Sequence, residues 1–203
     1  MKKKEKFAFI SVTDKTDLNK LAEGLVVMGY TIVASLKTAQ YIKNLGVSVI
    51  DVEQVTGYPA MVGLQGIKII HPKIFAGVLA NPKDREHVAD LKKYQINFYE
   101  IVVCNFYPFK ASITQRIIDR KEAIFNLDIG GPAIVRCAAK NYQHVSIVTD
   151  VKDYQWFLDE LMSKGGMSLA SRQKLSLKAF KYTRDYDNLI IKYFANVFNR
   201  KNT

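Results

Sequence analysis

Apolar, β-rich runs alternate along this chain with segments whose apolar residues recur at helical spacing, and that alternation constrains the fold more than any other feature. Phe7-Ala-Phe-Ile-Ser-Val12 is such a run, and Leu18, Leu21, Leu25 and Met28 follow at helical intervals until Gly29. A run that is apolar throughout predicts a strand covered on both faces. The spacing after it predicts an amphipathic helix, with Gly29 as its stop. The pattern repeats: strands are expected at Thr31–Ala34, Val47–Val52, Ile74–Leu79, Ile101–Cys104 and Val145–Val148. Helices are expected at about Thr38–Leu45 and Pro82–Lys93, from Pro132 to Asn141, and in two or three pieces from Asp153 onward. Such an order predicts an α/β fold, a mostly parallel central sheet with helices on both faces, closed by C-terminal helices. The span Thr56–Lys73 reads as a long irregular connection, and loops of that length inside a compact domain are usually functional. No internal repeat or linker interrupts the pattern, so residues 1–203 read as one domain.

Composition narrows the class. At 48% hydrophobic and 24% charged, the chain matches globular proteins and not disordered or fibrous ones. No apolar run reaches the length of a membrane span, and the run after the basic start is too short for a signal peptide, so a cytoplasmic protein without membrane contact is expected. Cys104 and Cys137 lie in apolar surroundings without a second Cys or a His at metal-ligand spacing, so both read as small core residues and no metal site is expected. The net charge of +11 suits a polyanionic or phosphorylated partner. The basic residues of the C-terminal stretch, Arg172, Lys174, Lys178, Lys181 and Arg184, read as the solvated face of a helix.

In an open parallel sheet, ligands bind outside the carboxyl ends of the strands. Thr13, Asp14, Lys15 and Thr16 follow the first strand, Ser35, Leu36, Lys37 and Thr38 the second, and Asn105-Phe-Tyr-Pro-Phe109 the Ile101 strand. Lys15 and Thr16 are expected to open one helix and Thr38 to start another. Hydroxyls, ammonium groups and free helix N–H donors gathered on one edge suit a phosphate dianion, although each of Asp14, Ser35 and Thr38 taken singly reads as a helix cap. Asp128-Ile-Gly-Gly-Pro132 places Pro132 in the first turn of a helix, with two glycines that allow close backbone approach. Asp128 is then either a cap or a general base, and Lys140, at the end of the same helix, complements its dipole. Tyr107, before Pro108, stands at the sheet edge, as a phenol facing a ligand or as an aromatic packed on a neighbouring loop; His71-Pro72 reads as a stiff structural turn.

Taken together, these segments resemble the IMP cyclohydrolase domain of the bifunctional purine enzyme that also carries an AICAR transformylase domain, a methylglyoxal synthase-like fold. The resemblance runs from about Phe7 to Phe198 and rests on Ser11-Val-Thr-Asp-Lys-Thr16, Thr56-Gly-Tyr-Pro59, Lys68-Ile-Ile-His-Pro-Lys73, Asn105-Phe-Tyr-Pro-Phe109, Asp128-Ile-Gly-Gly-Pro132 and Ala138-Ala-Lys-Asn141. Lys178-Ala-Phe and Tyr186-Asp187 also fall where the family has similar residues. The resemblance implies ring closure of 5-formamidoimidazole-4-carboxamide ribonucleotide (FAICAR) to IMP with loss of water. No hydride moves in that reaction, so no cofactor is expected.

The resemblance further implies Asp128 as base or orienter, Lys140 as proton donor, and Lys68 and Tyr107 as stabilisers of developing charge. It implies Asn105 as the holder of the carboxamide, and Thr13, Asp14, Lys15, Ser35 and Thr38 around the ribose phosphate, with Cys104, Ile129 and Gly130 also binding substrate; Lys37, where the family has glycine, reads either as a point charge that reaches the phosphate or as a solvated lysine on a surface turn. A homodimer is implied, with a separate or fused AICAR transformylase as a further partner and none of that domain within residues 1–203.

Two departures stand out. Where the family reads Ser-Gly-Gly-Thr, this chain reads Ser35-Leu36-Lys37-Thr38, which is expected to restrict a backbone cradle for phosphate. Where the family has Gly-Arg-Val-Lys-Thr, this chain has Gln65-Gly66-Ile67-Lys68-Ile69, without the Arg. A nucleotide-binding relative with weak or no turnover is therefore the alternative to an active enzyme. A nucleic-acid-binding protein is the third reading, and no recognition motif supports it.

Overall fold

A computed structural model of the chain describes residues 5–59, 69–107, 109 and 120–199. Among these, five parallel strands form one sheet: β1 (Lys6–Val12), β2 (Tyr30–Ala34), β3 (Ile50–Asp51), β4 (Tyr99–Asn105) and β5 (Ser146–Val148). Their order is β3-β2-β1-β4-β5. The chain therefore builds outward from β1 in one direction, then crosses back to lay β4 against the other side of β1. Loops leaving β1 and β4 diverge to opposite faces at that boundary, which opens a crevice above the carboxyl ends.

Side chains alternate between the two faces along each strand. Phe7, Phe9, Val33, Val102 and Cys104 enter one core, and Ala8, Ile10, Ile32, Ile101 and Val103 enter the other. The first core is covered by α3 (Val52–Thr56), α4 (Pro72–Leu79), α7 (Gly130–Lys140) and the long α9 (Leu169–Asn199). The second is covered by α1 (Leu18–Val27), α2 (Leu36–Asn44) and α8 (Tyr154–Lys164). Among the described residues the further α-helices are α5 (Arg85–Lys93) and α6 (Arg120–Phe125). Among the described residues no helix is long and apolar enough to cross a membrane.

Four local expectations are corrected. Ile74–Leu79 belongs to α4 and is no strand: His71 caps the helix through Nδ1, which accepts from the Lys73 N–H at 3.1 Å, and Pro72 occupies the first turn. The strand expected over Val47–Val52 shrinks to β3, because Asp51 caps α3 in a reciprocal box with Gln54 and turns the chain into a helix. The first two crossover helices also begin elsewhere than expected. α1 begins at Leu18, after a turn in which Asp14 Oδ1 accepts from Thr16 N–H, and α2 begins at Leu36 rather than Thr38.

The basic C-terminal stretch is not uniformly a solvated face. Arg172 donates to the carbonyls of Tyr142, Gln143 and Met167. Lys178 Nζ pairs with Asp150 at 2.8 Å and Asp153 at 2.6 Å. Lys174, Lys181 and Arg184 are exposed as expected.

Candidate active site

Three loops meet above the β2-β1-β4 edge, and each is shaped by a polar group buried at its base. Asn105 closes β4 and is itself buried. Its Oδ1 accepts from the N–H groups of Thr13 at 2.7 Å and Asp14 at 2.9 Å, and its Nδ2 donates to the Asp14 carbonyl at 3.1 Å. An amide side chain offers two donors and two acceptor lone pairs, so three of the four are spent on the β1–α1 loop. Asn105 acts first as the clamp of that loop, with one N–H left for a ligand.

Ser35 closes β2 and is the N-cap residue of α2, yet its side chain does not cap the helix. Its hydroxyl instead meets Ser11 Oγ at 2.9 Å. Thr38 Oγ1 accepts from the Val12 N–H and donates to the Val12 carbonyl, both at 3.1 Å, tying the start of α2 to the end of β1. The N–H groups of Leu36, Lys37 and Thr38 are thus the donors at the start of α2 that no side chain caps. Ser35 is extended and Leu36 already helical, with no left-handed residue in the loop. The Leu36-Lys37 pair is accommodated without strain.

Between these loops lies a cleft of about 500 Å³. Of the residues expected at the site, Thr13, Lys15, Ser35, Lys37, Thr38, Asn105, Tyr107 and Asp128 line it. Asp14 faces a neighbouring hollow behind Tyr107 instead. Its carboxyl is held below the ordinary carboxylate range, chiefly by the Thr16 N–H. Cys104 is buried beneath the site, with Sγ against the Gly131 carbonyl at 4.0 Å. Ile129 points to solvent, and Gly130 is buried at the start of α7. Lys140 closes α7 at the other end from Asp128, and eleven helical residues rise about 15 Å. The chain by itself therefore does not bring Lys140 to the cleft. Lys68 lies outside the described residues.

Asp128 is the most constrained ionisable group in the cleft. Oδ1 accepts from the Gly131 N–H at 2.7 Å, and Oδ2 lies 3.4 Å from the Tyr107 N–H. Burial raises its pKa above the ordinary carboxylate value, and those two N–H groups only partly offset the shift. Gly131 permits the arrangement: a Cβ there would lie 2.7 Å from Asp128 Oδ2 and 2.8 Å from the Phe106 ring. Among the described residues, the Cys104 thiol and the Tyr182 and Tyr186 phenols are ionisable neighbours of Asp128. All three are raised mainly by burial, the two phenols to about 12. His71 serves as the cap of α4, as its turn-like setting suggested.

The sequence reading missed Ser11, Ile69, Asn126 and Gly131 as lining residues. It also gave no role to Tyr182 and Tyr186, whose hydroxyls accept from the Phe106 N–H at 3.0 Å and the Asp128 N–H at 2.9 Å. The four-residue spacing of those tyrosines was visible, but the loops they reach are 76 and 58 residues away. Among the described residues no group of three or more His, Cys, Asp or Glu side chains is placed to hold a metal ion.

A sheet with this topology and a cleft at its β1/β4 switch point defines an α/β ligand-binding domain. Residues 17–133, more than half of the chain, match the family model for the MGS-like domain, and the chain belongs to that family. Residues 138–203 match a second model, described as the AICARFT/IMPCHase bienzyme.

Among curated relatives, the bifunctional purine biosynthesis protein PurH of Lactobacillus acidophilus is 44% identical over 94% of this chain and 37% of its own length. The corresponding PurH of Acetivibrio thermocellus is 43% identical over 93% of this chain and 36% of its own length. That of Bacillus subtilis is 37% identical over 97% of this chain and 38% of its own length. The chain thus spans well under half the length of these relatives. A solved structure, the crystal structure of ForH, superposes with a TM-score of 0.78 at 27% identity, covering 94% of this chain and all of that one.

Proposed function

We propose that the chain is an IMP cyclohydrolase domain, which closes the second purine ring by converting FAICAR to IMP with loss of water. The observation that carries this reading is Asp128: a half-buried carboxylate of raised pKa, held by two backbone N–H groups beside Tyr107 in a cleft that also receives the open start of α2. The start of α2 and the end of β4 are separated by two strand spacings, about 10 Å. That is the span from the phosphate of a ribonucleotide to its base. Phosphate at the Leu36, Lys37 and Thr38 N–H groups, beside the Lys15 and Lys37 side chains, puts the base under Tyr107 and Asp128. The match to the AICARFT/IMPCHase bienzyme model supports the same reaction, and the name of the PurH relatives, bifunctional purine biosynthesis proteins, supports a second activity in the length this chain does not span.

The chemistry follows from the placement. The carboxamide nitrogen attacks the formyl carbon, and Asp128 takes a proton from that nitrogen as the C–N bond forms. The Tyr107 phenol donates to the formyl oxygen as it gains charge. The carbinol C–O bond then breaks. Asp128 returns its proton to the departing hydroxyl, which leaves as water, and the other nitrogen of the new ring gives its proton to the Tyr107 phenolate as the C=N bond forms, which restores both side chains. A carboxyl of raised pKa suits both transfers, so one group serves as base and then as acid without Lys140. Lys68 retains the charge-stabilising role the resemblance implies. The reaction moves no electrons to or from an acceptor and calls for no redox cofactor.

The test is the cyclisation assay with purified protein and FAICAR, run with and without EDTA. Metal-independent turnover supports the reading; IMP binding without turnover favours an inactive nucleotide-binding relative. Lys37 gives a separate prediction. It lines the cleft from the first turn of α2 and supplies a charge that the glycines of the family lack. Lys37→Ala is expected to weaken IMP binding by about 1–3 kcal/mol, as for a lost charge-assisted bond, with inosine binding unchanged. Calorimetry with both ligands at one ionic strength checks it. Equal effects on the two ligands would remove Lys37 from the phosphate site.

A further inference from the structure

One face of α9 reaches three separate loops at the carboxyl edge of the sheet. Lys178, Tyr182 and Tyr186 follow at four-residue intervals, a spacing that stacks side chains along one helical stripe. Lys178 holds Asp150 and Asp153, which follow β5. Tyr182 accepts the Phe106 N–H, immediately before Tyr107, and its ring stacks on Phe106 with centroids 4.3 Å apart. Tyr186 accepts the Asp128 N–H, and its ring meets the edge of Phe106 at 5.0 Å.

The two N–H groups lie in loops without a strand or helix partner, and buried donors of that kind need an acceptor. Here both acceptors are side chains of one rigid helix. The geometry points to Tyr182 and Tyr186 as positioning residues of the active site: their phenol oxygens fix the backbone at Phe106 and Asp128, and so hold the Tyr107 phenol and the Asp128 carboxylate in mutual register. Neither tyrosine need touch the substrate. Their effect passes through the two loops, where a displacement of about 1 Å costs on the order of a hundredfold in rate. The kinetic part of this assignment rests on the cyclohydrolase reading; the structural part does not.

Tyr186→Phe and Tyr182→Phe, made in the full chain, keep each ring and delete only the acceptor. Hydrogen exchange followed by NMR is expected to accelerate by about tenfold at the Asp128 amide in the first variant and at the Phe106 amide in the second, as local opening becomes easier. In cyclisation, kcat is expected to fall roughly tenfold in each, equivalent to one lost hydrogen bond, while KM stays within about twofold. Release of the loop also gives Asp128 more water, so the acid limb of its kcat profile moves to lower pH; the facing Cys104 thiol and the two phenols titrate far above that limb. Unchanged exchange at both amides overturns the assignment. So does a loss of activity that leaves the pH profile and the kcat-to-KM split unmoved, as a general loss of stability would. If the unsubstituted protein does not cyclise FAICAR, the cyclohydrolase reading fails, and exchange at Asp128 and Phe106 still decides whether the tyrosines hold the loops.

Discussion

Asp128→Asn is expected to lower cyclisation turnover by about a hundredfold or more, the range for a lost acid–base group, with IMP affinity little changed. The substitution is nearly isosteric and keeps an oxygen for the Gly131 N–H, so the loop stays seated while the proton acceptor disappears. Stability should move the other way. Burial raises the folded-state pKa of Asp128 above the ordinary 3.8. The folded protein therefore binds more protons than the unfolded chain between those two values, and stability falls as pH rises through that window. At neutral pH the half-buried charge is a net cost, and the Asp128→Asn protein should melt at the same temperature or higher. The same sign governs catalysis, because the base form is lost as pH falls through a value above the ordinary carboxylate range. Steady-state kinetics across pH, IMP titration and a melting curve decide the matter. A parallel loss of IMP binding and turnover would mean that Asp128 grips the nucleotide and moves no proton.

Gly131→Ala tests the seat of that carboxylate without touching its chemistry. The added Cβ would lie 2.7 Å from Asp128 Oδ2 and 2.8 Å from the Phe106 ring. Phe106 is itself held by stacking on Tyr182, so the ring cannot retreat freely and the carboxylate must. Overpacking of this kind costs about 1–3 kcal/mol, a fall in Tm of several degrees for a chain of this size. Turnover is expected to drop by about a hundredfold, because a carboxylate pushed off its position by about 1 Å no longer meets the carboxamide nitrogen. Kinetics and calorimetry together check it. Wild-type turnover in a destabilised protein would show that the Asp128–Gly131 contact is structural only.

How far the sequence disclosed this molecule depends on which physical term fixed each part. The strands over Phe7–Val12, Thr31–Ala34 and Ile101–Cys104 were legible because a run apolar on both sides has few other uses. The site loops were legible because the carboxyl ends of parallel strands can be counted off. Ile74–Leu79 misled because a six-residue apolar run fits strand or helix equally. The deciding contacts are a histidine cap and the close approach of Gly77 to the Asn97 carbonyl and the Tyr99 ring, where no side chain would fit. Asn105 was legible as a site residue but not as a clamp, since its partners are backbone groups more than ninety positions away. Lys140 illustrates the converse: the resemblance implied a role, while the length of α7 sets it apart from Asp128 within one chain.

The long separation between the tyrosines and the loops they hold has a consequence for biosynthesis. Synthesis runs from the amino to the carboxyl end, so all five described strands and both loops at the cleft exist before residue 178 is added. The stripe that registers those loops is translated after every part it seats. A nascent chain can bury most of its sheet while Phe106 and Asp128 still lack their acceptors, and contacts spanning 58 and 76 residues are among those that close late. The register of the two loops at the cleft therefore waits on α9, after the greater part of the described sheet has been made.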